Sequence, residues 1–353
     1  PASRALLDLL GIDLPLVQAP MAGVSTPAMA AAVSNAGALG SLGLGASNAE
    51  AARGMITAVR AASSRSLHVN LFCHRPPARD ANRESAWIAR LRPEFEQRGA
   101  APPKALNEIY TSFVEDDAML AMLLAERPKV VSFHFGVPGE ERVRALRNAG
   151  LVLLGAATTV AEGRALVAAG VHAVIAQGYE AGGHRGVFDP DAPDDRLGTL
   201  ALTRLLVREL DVPVIAAGGI MDGAGIAAAL RLGASAAQLG TAFVGCPESQ
   251  ADAGYRAALK SEAAQHTVVT RAVSGRPARC LANRFTALGL AVADRDVPAY
   301  PVAYDAGKAL HAAAKAHGDF GFGAQWAGQG APLARALPAA ELVATLAAEV
   351  GRA

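Results

Sequence analysis

Short apolar runs alternate along this chain with longer Ala-rich segments of helical period. The runs read LPLVQAP (14–20), GALGSLG (37–43), LHVNLF (67–72), KVVSFHFG (129–136), LVLLGAAT (151–158), VHAVIAQG (171–178), VPVIAAGG (212–219) and SAAQLGT (235–241). Rich in Val, Leu, Ile and Ala and closed by Gly, Asn, Gln or Pro, they have the pattern of buried parallel strands. Between them lie TPAMAAAVSNAG (26–37), GEERVRALRNAG (139–150), TVAEGRALVAAG (159–170) and DGAGIAAALRLGA (222–234). Several end in Ala-Gly or Leu-Gly just before the next run, a helix C-cap signal. Strand–helix alternation repeated eight times predicts an α/β fold, a (β/α)8 TIM barrel rather than a doubly wound open sheet.

Two stretches break the rhythm. Residues 76–128 are long for one crossover and carry two Pro-rich pieces; residues 243–323 follow the eighth predicted strand. The expected division is a barrel over 1–242 with an insertion at about 76–128, a cap segment over 243–323, and a C-terminal helix within 324–353 packing on the barrel. The insertion and the later segment together are expected to form a smaller helical cap over the C-terminal mouth, where barrel active sites lie.

Composition narrows the class. Of 353 residues, 52% are hydrophobic but only 5% aromatic, so the core is built from small aliphatic side chains. A net charge of +1, with no basic stripe, argues against a nucleic-acid or anionic-membrane partner. Three cysteines without a CxxC spacing argue against a disulfide frame or a zinc site. No apolar run reaches membrane-spanning length and no signal peptide is evident, so a cytoplasmic protein is expected.

In a barrel, strand C-termini converge on one mouth. Here they bring Gln18, Pro20, Met21, Asn70, His134, Gln177 and Gln238, a set rich in amides and poor in carboxylates. Amides supply donors and acceptors without charge, as the edge of a heterocycle requires; a metal hydrolase needs acids and histidines there, and no metal is expected. Gly218, Gly219, Gly240 and Thr241 fall after the last two predicted strands, where barrels commonly hold phosphate on bare backbone N–H groups; tight turns alone also explain them.

His68 and His172 read as structural, and His134 is open either way. His184, in QGYEAGGHRG (177–186), follows the sixth predicted strand on a Gly-rich loop. It is a candidate base, with Glu180 or Arg185 as possible modulators of its proton affinity; it also fits as a turn residue, and less well as a metal ligand. Tyr300, Tyr304 and Lys308 are spaced four apart, so on a helix they share one face. They form either an amphipathic packing stripe or an anion clamp.

The segments QAPMAG (18–23), HVNLF (68–72), GYEAGGHRG (178–186), PVIAAGGIMDG (213–223), QLGTAFVGCPES (238–249) and YPVAYDAGK (300–308) resemble the nitronate monooxygenases, formerly 2-nitropropane dioxygenases, of the bacterial class I type. The resemblance runs from about residue 10 to about residue 330. It implies FMN bound in a TIM barrel and oxidation of alkyl nitronates, chiefly propionate 3-nitronate, with O2 and without NAD(P)H. Carbonyl compounds with nitrite and nitrate would form by way of a flavin semiquinone. By motif match, His184 takes the catalytic position; Tyr110, Tyr300, Tyr304 and Lys308 match the substrate surroundings. Met21, Ala22, Gly23, Asn70, Gln177, Gly182, Gly183, Gly218, Gly219, Gln238, Gly240 and Thr241 match the cofactor contacts. The expected partners are a small nitronate and O2, on a monomer or homodimer. The alternative is an NAD(P)H-dependent FMN barrel reductase acting on enoyl or quinone substrates.

Overall fold

The computed structural model describes residues 2–353. Eight parallel strands form the central sheet: β1 (Leu16–Gln18), β2 (Gly40–Gly43), β3 (Leu67–Phe72), β4 (Val130–His134), β5 (Val152–Ala157), β6 (Ala173–Gln177), β8 (Val214–Ala217) and β9 (Ala236–Leu239). Their order is β1-β9-β8-β6-β5-β4-β3-β2, and a parallel bridge from Val17 to Leu39 brings the two ends together as a barrel. Every apolar run predicted as a strand contains one of these, shorter than the run except for β3, which fills it.

An outer ring covers the barrel: α2 (Pro27–Asn35), α3 (Ala49–Ala62), α5 (Asp117–Glu126), α6 (Glu140–Asn148), α7 (Val160–Ala169), α8 (Thr199–Glu209), α9 (Gly223–Arg231) and α14 (Ala339–Val350). Helix starts follow local chemistry. The side chains of Thr26, Asn48, Thr159 and Asp222 each accept a hydrogen bond from a first-turn backbone N–H. The C-terminal α14 packs Leu342, Val343 and Leu346 against Met29 and Val33 of α2 and Ile226 and Ala229 of α9, so it takes the ring position between them. The N-terminal α1 (Ala2–Leu10) closes the opposite end, with Leu6, Leu7 and Leu10 buried against Val17, Leu39, Ile175 and Ile215. Each such side chain contributes about 1.5–3 kcal/mol by burial.

The period of two along each strand decides what reaches the mouth. In β4, Val131 and Phe133 join the core beneath the helices, which leaves Ser132 and His134 to the barrel interior. In β3, Val69 and Leu71 face outward and His68 and Asn70 inward; in β6, Val174 and Ala176 are outward and Ile175 and Gln177 inward.

Within the stretch 76–128, α4 (Ala81–Glu96) leaves the barrel and packs on α13 (Val302–Lys315), whereas α5 packs on α3 and α6 in the outer ring. The inserted excursion is therefore shorter than expected. Trp87, Leu91 and Phe95 of α4 share a core with Phe285, Val302, Leu310 and Phe322. The cap is also not purely helical. Besides α4, α11 (Ala253–Leu259), α12 (Arg284–Leu290) and α13, it holds an antiparallel sheet of β10 (Thr267–Thr270), β11 (Ala278–Leu281) and the two-residue β7 (Gly183–His184). Short β-branched stretches such as Thr267–Thr270 favour strands. No described helix is long and apolar enough to cross a membrane. Cys73, Cys246 and Cys280 are buried and unpaired.

Candidate active site

A cavity of about 470 Å³ opens between the C-terminal ends of the barrel strands and the cap. Every residue matched to the family's catalytic, substrate and cofactor positions lies on its wall, whereas Gln18, also expected at the mouth, is fully buried and does not line it. Met21, Ala22 and Gly23 follow β1; Asn70 lies within β3; Gln177, Gly182 and Gly183 run from β6 into β7. Gly218 and Gly219 follow β8, Gln238 lies in β9, and Gly240 and Thr241 begin the short α10 (Thr241–Val244). Tyr110, Tyr300, Tyr304 and Lys308 approach from the cap side, and His184 stands between the two halves.

Gly218 and Gly219 have φ of +122° and +72°, a backbone path that L side chains rarely adopt. Glu180 secures that turn: its carboxylate accepts the Thr199 backbone N–H at 2.8 Å and the Thr199 hydroxyl at 2.9 Å, and the same hydroxyl lies 2.8 Å from Gly218 O. Arg185 is equally committed, with a double contact to Asp194 at 2.8 and 2.9 Å and a hydrogen bond to Gln177 O. Both charges flanking His184 in sequence are thus spent on structure.

His184 is held in a strand of the cap sheet rather than on a free loop, paired with Ala278 of β11. Its Nε2 lies 2.8 Å from the Ser274 hydroxyl, and its ring meets Tyr300 at 5.3 Å, Trp326 at 5.0 Å and Phe135 at 5.8 Å. Burial first, then His134, Arg276 and His74, lower its pKa to about 3, so the imidazole is neutral at physiological pH. His134, left open by the sequence, lines the cavity and puts its Nε2 3.1 Å from His184 O. Gln177 works on the same segment: Nε2 donates to His184 O at 2.9 Å and Oε1 accepts the Gly186 N–H at 2.7 Å. Much of its hydrogen-bonding capacity therefore aims the histidine.

Tyr300 corrects the expected helix face. α13 begins at Val302, so Tyr300 sits on the preceding turn, before a cis Pro301. Its ring still stands 6.3 Å from Tyr110 and its buried hydroxyl has no partner among the described residues. Burial raises the Tyr110 and Tyr300 phenols and lifts Tyr304 to about 12, so all three remain O–H donors at neutral pH. Lys308 Nζ lies 5.2 Å from the Tyr110 ring centre and 5.1 Å from that of Tyr304, a cation between two aromatic faces. It forms no ion pair among the described residues, whereas Lys315 on the same helix pairs with Asp252 at 3.3 Å.

The residues fit a bound heterocycle. Gln238 Oε1 is buried without a donor, which a ring N–H would satisfy. Among the described residues no group of three His, Cys, Asp or Glu side chains is arranged to hold a metal ion. Ser274, Arg276, His74, Phe135 and Trp326 escaped the sequence reading. Trp326, one of two tryptophans in an aromatic-poor chain, carried the best available signal. Arg276 and Ser274 carried none, because the turn that joins them to His184 is formed only by strand pairing.

Comparison with known proteins agrees with this geometry. A family model described as nitronate monooxygenase matches residues 3–349. The nitronate monooxygenase of Paraburkholderia phytofirmans is 62% identical over 347 residues, covering 98% of this chain and 95% of the relative. That of Pseudomonas aeruginosa is 57% identical over 342 residues, covering 97% of each. Among solved structures, nitroalkane oxidase from Streptomyces ansochromogenes superposes with a TM-score of 0.89 at 43% identity, covering 99% of this chain and 98% of that one. FabK from Thermotoga maritima follows at 0.73 and 28%, covering 99% and 96%. Matched along nearly its whole length by both sequence and shape, the chain belongs to the nitronate monooxygenase family.

Proposed function

We propose that this chain is an FMN-dependent nitronate monooxygenase that oxidises alkyl nitronates, propionate 3-nitronate foremost, with O2 and without NAD(P)H, giving carbonyl compounds with nitrite and nitrate. The observation that carries the reading is one cavity combining an amide-bearing floor, a neutral histidine and a lysine with no carboxylate partner. FMN, when bound, supplies the redox chemistry between substrate and O2. Its ring would rest on the wall formed by Met21–Gly23, Asn70, Gln177 and Gln238, and its phosphate by Gly182, Gly183, Gly218, Gly219, Gly240 and Thr241.

The chain's own groups do the binding and the proton work. Lys308, half-wrapped by Tyr110 and Tyr304, offers its ammonium to the carboxylate of the substrate. Tyr300 offers an unpaired O–H to a developing or standing negative charge. His184 is uncharged and braced by Ser274, so it can take the α-proton of a neutral nitroalkane. Toward a nitronate, already deprotonated, the same ring positions the anion. The aromatic collar of Phe135, Tyr300, Tyr304 and Trp326 excludes water and strengthens these contacts.

The test is direct. Purified protein loaded with FMN should consume O2 and release nitrite from propionate 3-nitronate with no nicotinamide present. Absence of both, together with rapid flavin bleaching by NADH without air, would instead establish the reductase reading.

A further inference from the structure

A polar chain crosses the barrel interior beneath the cavity. Gln18 Oε1 accepts the Ser41 backbone N–H at 2.8 Å. The Ser41 hydroxyl lies 2.8 Å from His68 Nδ1, and His68 Nε2 lies 2.6 Å from the Ser132 hydroxyl. Asn70 Nδ2 donates to that same oxygen at 2.8 Å and to Ser132 O at 3.3 Å. A carbonyl oxygen only accepts, so the Asn70 amide turns its NH2 toward Ser132 and leaves Oδ1 unspent. Ser41, His68 and Ser132 are fully buried, in a barrel whose interior is otherwise filled by residues such as Val17, Leu39 and Ile215. Such groups are costly to bury unless each hydrogen bond is made.

Counting protons assigns the chain a direction. Burial lowers the His68 pKa to about 3, so the ring carries one N–H. That hydrogen and the two serine hydroxyl hydrogens must fill two contacts, one on each ring nitrogen; one serine hydrogen is left over. Ser41 and Ser132 are both fully buried, and of the two only Ser132 borders the cavity. Ser41 therefore donates to Nδ1, His68 holds its proton on Nε2 and donates to Ser132, and the remaining hydrogen belongs to Ser132. With His68 and Asn70 both donating to its oxygen, Ser132 has only its own O–H to offer, and the cavity is where an acceptor can stand.

We infer that Ser132 is a ligand-binding residue of the cavity floor, presenting a hydroxyl donor to a carbonyl-type acceptor on the edge of the bound heterocycle, with His68 and Ser41 as positioning residues. Beside it the Asn70 Oδ1 supplies an acceptor. A donor next to an acceptor suits a ring edge that carries C=O beside N–H. This deepens the proposal of FMN as the group on that floor and rests on it.

Two measurements test the inference. Nitrogen-15 histidine spectra of the flavin-free protein should show His68 neutral and protonated on Nε2 from pH 5 to pH 9; protonation on Nδ1 overturns the direction of the chain. Ser132→Ala should weaken FMN binding, read by flavin fluorescence quenching, by about five- to tenfold, the loss of one hydrogen bond. An unchanged FMN affinity, with only thermal stability reduced, overturns the ligand contact and leaves Ser132 as packing. Wild-type protein that takes up no FMN defeats the functional reading, and the tautomer then upholds or overturns the chain by itself, as it does should Ser132→Ala not fold.

Discussion

The Arg276 guanidinium stands 4.2 Å from the centre of the Phe135 ring, and the same ring meets the His184 imidazole edge-on at 5.8 Å. Arg276 is 3% exposed, its Nε has no partner, and it forms no ion pair among the described residues, although one of its NH2 groups donates to Val187 O. Burial lowers its pKa to about 10, which still leaves it charged at neutral pH. A standing positive charge therefore lies behind the histidines of the site, ninety-two positions beyond His184 in the chain.

Removing that charge should make His184 easier to protonate. Burial and His134 outrank Arg276 among the causes of the low value, so the change is partial. Arg276→Met should move the acidic limb of kcat/KM for nitroethane upward by about one pH unit, the effect of a unit charge within about 10 Å at an effective dielectric of 20. Arg276→Lys should leave the limb in place. A limb that stays put in both variants means the charge does not reach the ring.

His184→Asn should lower turnover of neutral nitroethane by about 10²- to 10⁴-fold, the range of a positioned general base. Turnover of ethyl nitronate, which has no α-proton to lose, should fall far less. Equal losses on the two substrates, measured by nitrite release, would rule out proton abstraction.

Lys308→Met should raise KM for propionate 3-nitronate by about 10- to 100-fold, the range of a charge-assisted hydrogen bond lost. The KM for a simple alkyl nitronate without a carboxylate should change little. The ratio of the two KM values is the readout, and a constant ratio counts against the clamp.

Acid should destabilise the fold through its buried histidines. His68 and His74 are fully buried, with pKa values lowered to about 3 and about 4 against 6.5 in the unfolded chain. Between those limits the unfolded chain holds more protons. The stability they contribute is thus complete above pH 6.5 and is lost as pH falls toward 4. With His134 and His184, held at about 4 and about 3, four such rings give about 5.4 kcal/mol per pH unit. Urea midpoints at pH 6.5 and pH 5 read the slope, and His74→Phe should lower it by about a quarter. A midpoint identical at both values would mean that these rings are not held neutral.

Much of the architecture was legible in the chain. Eight runs with terminal Gly, Asn or Gln marked eight barrel strands, because burial on both faces forces continuous apolar runs and the turns demand special residues. The cap was legible only as an interruption. Its helices and sheet depend on contacts such as Trp87 and Leu91 with Val302 and Leu310, separated by some two hundred residues and without a periodic signature of their own. Tyr300 shows the limit of spacing arguments: four residues before Tyr304 places it on a shared helix face only if the helix reaches it, and this one starts at Val302.

By itself, the sequence determined the strand count, the alternation that puts Asn70, His134, Gln177 and Gln238 on the inner surface, and the family motifs. All of these follow from local period and composition. The charge state of the site was decided only by the tertiary structure. Glu180 and Arg185, the nearest charges in sequence to His184, are turned away to Thr199 and Asp194. Ser274 and Arg276, remote in sequence, are brought to it when β11 pairs with β7. Proton affinity depends on burial and on charges within a few ångströms in space, and those distances exist only once the cap has closed over the barrel.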